Sequence, residues 1–267
     1  MCLAAMDLSK PTQFRVLGVP IAATDMQSAI ARVSSWIERG DRGRMVTFTT
    51  VHMVVEASRN PEFLRLLQRS DMNCPDGMPL VWFGRREVRQ EIEQVCGPEF
   101  LPAFCRATAD KGLRHYFYGG ADGVAAKAAE SLREQYAGVK IAGVYSPPFR
   151  CLTAVEKEKV VTAINAARPD VLWVCLGCPK QELWIEEFRD QLNVPVLLAV
   201  GLAVDIAAGT RSRAPVAMRH LGLEWLYRLC QEPRRLWRRY VIYGAIFAYR
   251  VVAHRLAMVG HSDAETA

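Results

Sequence analysis

The chain has no apolar run long enough to cross a bilayer. The most hydrophobic stretch of its tail, "YVIYGAIFAY" (240–249), is ten residues long and stops at Arg250, whereas a spanning helix needs about twenty. The opening "MCLAAMDLSKPTQF" has neither a basic leader nor a long apolar segment and is expected not to act as a secretion signal. Neither GxGxxG nor GxxxxGK[ST] occurs, so a nicotinamide dinucleotide or a Walker-type ATP site has no support. No DxD pair and no His/Cys/Asp/Glu group at ligand spacing is present, and no metal site is expected. Ser146 and Ser212 lie near no base in the sequence, which removes a serine-hydrolase triad. The eight cysteines (Cys2, Cys74, Cys96, Cys105, Cys151, Cys175, Cys178, Cys230) are mostly single among apolar neighbours and suit buried thiols in a reducing compartment. The one close pair, in "VCLGCP", has no companion ligands for zinc.

Lysine is missing where positive charge is densest. From Arg211 to Arg255 there are ten arginines, no lysine, and only Glu224 and Glu232 as acids. That asymmetry calls for a polyanionic partner, either nucleic acid or anionic lipid. The arginines are threaded with Trp225, Leu226, Tyr227, Leu229, Leu236, Trp237 and Tyr240. Such a mixture suits a helix lying in a membrane interface, and no recognised DNA- or RNA-binding motif accompanies it.

What is present is half apolar, 51% over 267 residues, enough for a full core and too much for a disordered chain. Residues 14–21 read as a short opening segment with one small strand. Buried strands are expected at "RMVTFTT" (44–50), "GLRHYFYGG" (112–120), "VKIAGVY" (139–145), "VLWVCLG" (171–177) and "VPVLLAVGL" (194–202), alternating with amphipathic helices. Strands apolar on both faces between helices indicate a mostly parallel sheet covered by helices.

Ligands of such sheets bind beyond the C-terminal strand ends. Three of those ends carry glycine turns: "YGGADG", "LGCPKQE" and "VGLAVDIAAG". Gly119 and Gly120 allow main-chain amides to approach phosphate, or simply turn the chain. Gln181 opens a helix and offers donor and acceptor to a base or a sugar. Glu182 beside it is favoured there by the helix dipole in any case. Asp76, in "NCPDGMPLVW" (73–82), sits between Pro75 and Gly77. On local grounds it is either a turn former or an acid held stiffly at a cleft mouth.

The blocks "FRVLGVPIAATDMQSAI", "CPDGMPLVW", "YFYGGADGVAAKAAESL", "IAGVYSPPF", "RPDVLWVCLGCPKQELWI" and "RAPVAMRHLGLEWLYRLCQEPRRLWRRY" together resemble the bacterial WecG/TagA/CpsF glycosyltransferase family, in the same order and from about residue 14 to 240. The resemblance implies a Rossmann-like α/β core over 14–205 and a basic, aromatic-rich helical appendage over 206–258. It implies an inverting transfer from a UDP-sugar (N-acetylmannosamine or a hexose such as glucose) to a sugar on a polyprenyl diphosphate. Neither metal nor cofactor is implied. Family members act peripherally on the cytoplasmic face of the inner membrane, in teichoic acid linkage, common-antigen, capsule or exopolysaccharide assembly. "YSPPF" tilts the expectation toward exopolysaccharide, and a homo-oligomer stays open.

Residue by residue, the resemblance places the catalytic base on Asp76 and ligand-binding positions on Thr47, Gln181 and Glu182. Thr49 stands where the family usually has Asn. Gln94, in "QVCG", stands where the family often has Arg, and Glu99 where it has Asp. A glutamine cannot supply charge to a leaving diphosphate, so either another arginine does (Arg85, Arg86, or one from the tail such as Arg213 or Arg228) or the protein is a weakened or specialised member. An inverting transferase with a nucleotide leaving group needs a single carboxylate, whereas a glycosidase needs two opposed. The rivals are a non-catalytic nucleotide-sugar-binding scaffold and a nucleic-acid-binding protein.

Overall fold

The computed structural model describes residues 11–264, without the side chains of His220 and 254–264. Cys2 and the rest of the opening ten residues lie outside it, as does the Arg255 side chain. The expected single opening strand is two: β1 (Gln13–Val16) and β2 (Val19–Ala22) form an antiparallel hairpin. Leu17 and Gly18 both take positive φ, the turn geometry that matches strand twist in two-residue hairpins.

The main sheet has six strands: β3 (Arg44–Thr49), β4 (Met72–Pro75), β5 (Arg114–Gly119), β6 (Lys140–Tyr145), β7 (Val171–Cys175) and β8 (Val196–Ala199). All its pairings are parallel, in the order β4-β3-β8-β7-β5-β6. This is an α/β fold with flanking helices, a separate antiparallel hairpin and a C-terminal helical extension. The strand order is not that of the dinucleotide-binding fold, so the Rossmann-like expectation holds only for parallel strands with helices on both faces.

β4 is absent from the sequence reading, where Pro75 belongs to a turn. Pro75 has no N–H to give, and it is tolerated because β4 is an edge strand with β3 as its one neighbour. Alternate residues of the central strands feed two separate cores. Leu172, Val174 and Leu197 pack with the helices Val51–Ala57, Pro61–Arg69 and Lys180–Phe188. Val171, Trp173 and Leu198 pack with Met26–Glu38, Gly97–Ala107 and Val124–Gln135. Side-chain caps start several of the helices, among them Pro61–Arg69 and Ala154–Ala167. Asn60 accepts from the amides of Glu62 and Phe63 ahead of Pro61, and Thr153 with Glu156 forms a reciprocal capping box.

Beyond Ala207 there are helices only: Val216–His220, Glu224–Gln231, Pro233–Trp237, a π-type turn over Arg238–Ile242, and Tyr243–Ala264. Phe247 is buried in the first core, the Tyr243 hydroxyl donates to Glu56 at 3.0 Å, and Arg250 donates to Ser58. The extension is therefore packed against the body. Among the described residues no helix is long and apolar enough to cross a membrane.

Candidate active site

A cleft of about 1270 Å³ opens across the C-terminal ends of the strands, with one wall supplied by the extension. Asp76 stands at its floor because three bonds fix the chain around it. Its amide donates to the Thr49 carbonyl at 2.9 Å, and the Val95 amide donates to the Pro75 carbonyl at 3.0 Å. The Gln94 side chain donates to the carbonyl of Asp76 itself at 3.2 Å. The Asp76 carboxylate is left facing the cleft. Burial holds its pKa well above the usual carboxylate range; the Glu224 charge adds to this, while Arg228, Arg239 and Arg213 oppose it.

The structure brings Asp76, Gln94, Gly120, Gln181, Arg213 and Arg228 together on the cleft surface. Thr47 and Thr49 are fully buried and do not reach that surface. Their hydroxyls bond each other at 2.9 Å, and Thr47 donates to Asn73 at 2.7 Å, a network that braces the ends of β3 and β4. Gly119 also lies behind the surface. At φ +113° its Cβ would fall 2.6 Å from the Cys175 carbonyl, so glycine lets β5 pass close to β7 there. Arg85 donates to the Ile92 carbonyl at 2.8 Å, and neither it nor Arg86 lines the cleft.

Gln181 is largely occupied by the protein. Its Oε1 accepts from the Gly177 amide at 3.1 Å, and its Nε2 donates to Glu182 at 2.8 Å and to the Ala199 carbonyl at 3.1 Å. It ties the turn after β7 to the end of β8. Glu182 is fully buried, with Oε2 unpartnered. Burial pushes its pKa up to about 7, against stabilisation by Gln181 and Cys178.

The arginines divide into two sets. Arg213 is saturated: it is bidentate on Glu224 at 3.1 and 2.9 Å, and it reaches Glu99 at 3.0 Å. Arg219 pairs with the same Glu99. Glu99, on the helix Gly97–Ala107, thus anchors the extension to the body. Arg228 and Arg239 line the cleft, and no hydrogen bond or ion pair is found for either side chain among the described residues. Arg239 went unnoticed in the sequence because it is one of five arginines between residues 234 and 250. The π-type turn that carries it leaves no mark in residue type.

This geometry is a sheet-end cleft holding two carboxylates whose burial favours their protons, Asp76 and Asp205, and two guanidiniums unpaired among the described residues. The family model described as "Glycosyl transferase WecG/TagA/CpsF family" matches residues 14–259. The chain belongs to that family. It is a glycosyltransferase of cell-surface polysaccharide assembly. It is also similar to the N-acetylglucosaminyldiphosphoundecaprenol N-acetyl-beta-D-mannosaminyltransferase of Bacillus spizizenii, at 27% identity over 216 residues, covering 81% of this chain and 82% of the relative.

Proposed function

We propose that this glycosyltransferase moves a sugar from a UDP-sugar to a polyprenyl-diphosphate-linked sugar with inversion, and that Asp76 is the general base. The observation that carries the reading is the Asp76 carboxylate, raised in proton affinity at the cleft floor and with no hydrogen bond to its side chain among the described residues. A base of that kind takes the acceptor hydroxyl's proton as the hydroxyl attacks the anomeric carbon. The C–O bond to the diphosphate breaks with its electron pair, and UDP departs as an anion. Arg228 and Arg239 receive that charge, in a cleft where guanidiniums are worth more than in water. The relative's name specifies N-acetylmannosamine as its donated sugar, and a similar hexosamine or a hexose is the donor class here.

The extension's basic and aromatic face would hold the protein peripherally on the cytoplasmic leaflet, where the lipid acceptor lies. The rival scaffold reading loses ground because Gln94 supports the Asp76 turn, so its presence is no mark of a decayed site. The experiment is an assay of UDP release from UDP-N-acetylmannosamine and UDP-glucose with a short-chain polyprenyl-diphosphate N-acetylglucosamine acceptor. Acceptor-dependent release supports the reading. Donor binding without release returns the scaffold.

A further inference from the structure

Side chains from one stretch of the body converge on a single ring of the extension. His52 and Glu56 stand four residues apart on the helix Val51–Ala57 and so share a face. The His52 imidazole packs against the Tyr243 ring with 4.8 Å between ring centres. Glu56 accepts from the Tyr243 hydroxyl at 3.0 Å, and the Arg59 guanidinium lies over the same ring, 6.0 Å from its centre. Tyr243 is in turn the residue that closes the π-type turn Arg238–Ile242, its amide donating back to the carbonyls of Arg238 and Tyr240. Such turns are rare and concentrate at functional sites. This one carries Arg239, which lines the cleft and whose charge acts on the Asp76 carboxylate and on His52 alike.

His52 also lines the cleft, yet its surroundings suit packing better than proton transfer. Burial first, and then the Arg239 charge, push its pKa down to about 4, so near neutral pH the ring is uncharged. Its Nδ1 is buried without a partner, and an enclosed ring nitrogen is better left as a bare lone pair than as an orphan N–H. A neutral ring can sit beside Arg239 without repelling it. A carboxylate in its place would pair with the guanidinium and consume the charge that the cleft presents.

Resting on the reading of this chain as a UDP-sugar transferase, we infer that His52 and Tyr243 are positioning residues: through their packed rings the body holds the π-type turn and sets where Arg239 stands in the cleft. Arg213 is placed by its ion pairs with Glu99 and Glu224. Arg239 is placed through its backbone instead, which leaves its guanidinium free for an anion.

UDP-release kinetics with the lipid-linked acceptor and amide hydrogen exchange, both on the full chain, test this in His52→Phe, His52→Ala, Tyr243→Leu, Arg239→Gln and the double variant Tyr243→Leu/Arg239→Gln. His52→Ala and Tyr243→Leu should each lower kcat/KM for the donor about tenfold, within the coupling found between residues in contact. Each should also speed exchange over residues 238–243, while slow exchange in the sheet shows that the variant is folded. His52→Phe keeps a ring against Tyr243 and should hold both readouts within about twofold of wild type. In the double variant the loss should equal that of Arg239→Gln alone, because the turn then has no cation left to aim. Additive losses would show the rings acting by another route and overturn the inference. Unchanged exchange over 238–243 in His52→Ala and Tyr243→Leu would overturn it too. A His52→Phe variant as slow as His52→Ala would make the imidazole itself a substrate contact, against a positioning role. If wild type releases no UDP, the donor reading fails, and exchange over 238–243 alone decides whether the rings hold the turn.

Discussion

The Gln94 side chain donates to the main-chain carbonyl of Asp76 across 3.2 Å. Glutamine here braces the turn, and Arg228 and Arg239 of the cleft wall stand on the extension. Gln94→Ala should lower kcat less than tenfold, in keeping with one hydrogen bond of about 1 kcal/mol, and leave the donor KM nearly unchanged. Steady-state kinetics with saturating acceptor reads this. A hundredfold fall would mean that Gln94 touches the reacting groups.

Arg228 and Arg239 are expected to act differently from Arg213. Removing either free guanidinium should cost kcat/KM for the donor roughly 10- to 100-fold, the value of a charge-assisted bond of about 1.5–3 kcal/mol. Arg213→Gln breaks the links to Glu99 and Glu224. It should lower the melting temperature before it changes donor affinity. Equal kinetic losses in all three variants would contradict the division.

Glu182 gives a pH signature in stability. Its folded pKa, about 7, lies above the ordinary 4.5, so the folded state holds a proton that the unfolded chain releases. Stability from this group is therefore lost as pH rises from about 4.5 to 7. Glu182→Gln should remove that loss, on the order of 3 kcal/mol at most. Denaturant melts of both proteins at pH 5 and pH 7.5 decide it: a difference independent of pH would show Glu182 ionised throughout.

The extension exposes Trp237 at 47% and Val241 at 54%, next to Arg238, whose guanidinium lies over the Trp237 ring. If this face meets a membrane, changing Trp237 and Val241 to Ser should reduce co-sedimentation with anionic vesicles several-fold. High salt should weaken the wild type further. Unchanged sedimentation would move the contact elsewhere.

The parallel sheet was legible because β3, β5, β7 and β8 are apolar on both faces, a pattern only two covered faces explain. β4 was hidden by Pro75, which reads as a turn residue until its edge position is known. Asp76 could be singled out because Pro and Gly flank it. The burial of Thr47 and Thr49 could not, since a threonine at a strand end reads alike whether it faces a ligand or Asn73. Arg213 and Arg239 show the limit for long-range partners: ten arginines in one segment look equivalent, and only the carboxylates that fold against them, Glu99 and Glu224, tell the held from the free.

Asp76→Asn tests the assignment of Asp76 as the base most directly, with two readouts from one protein. Turnover with saturating lipid-linked acceptor should fall by about 10² or more while UDP-sugar binding changes little. The acidic limb of the wild-type kcat profile should lie above the ordinary carboxylate range, because activity is lost as pH falls through the raised pKa of Asp76. A variant that turns over at near the wild-type rate, with the same acidic limb, would contradict the assignment.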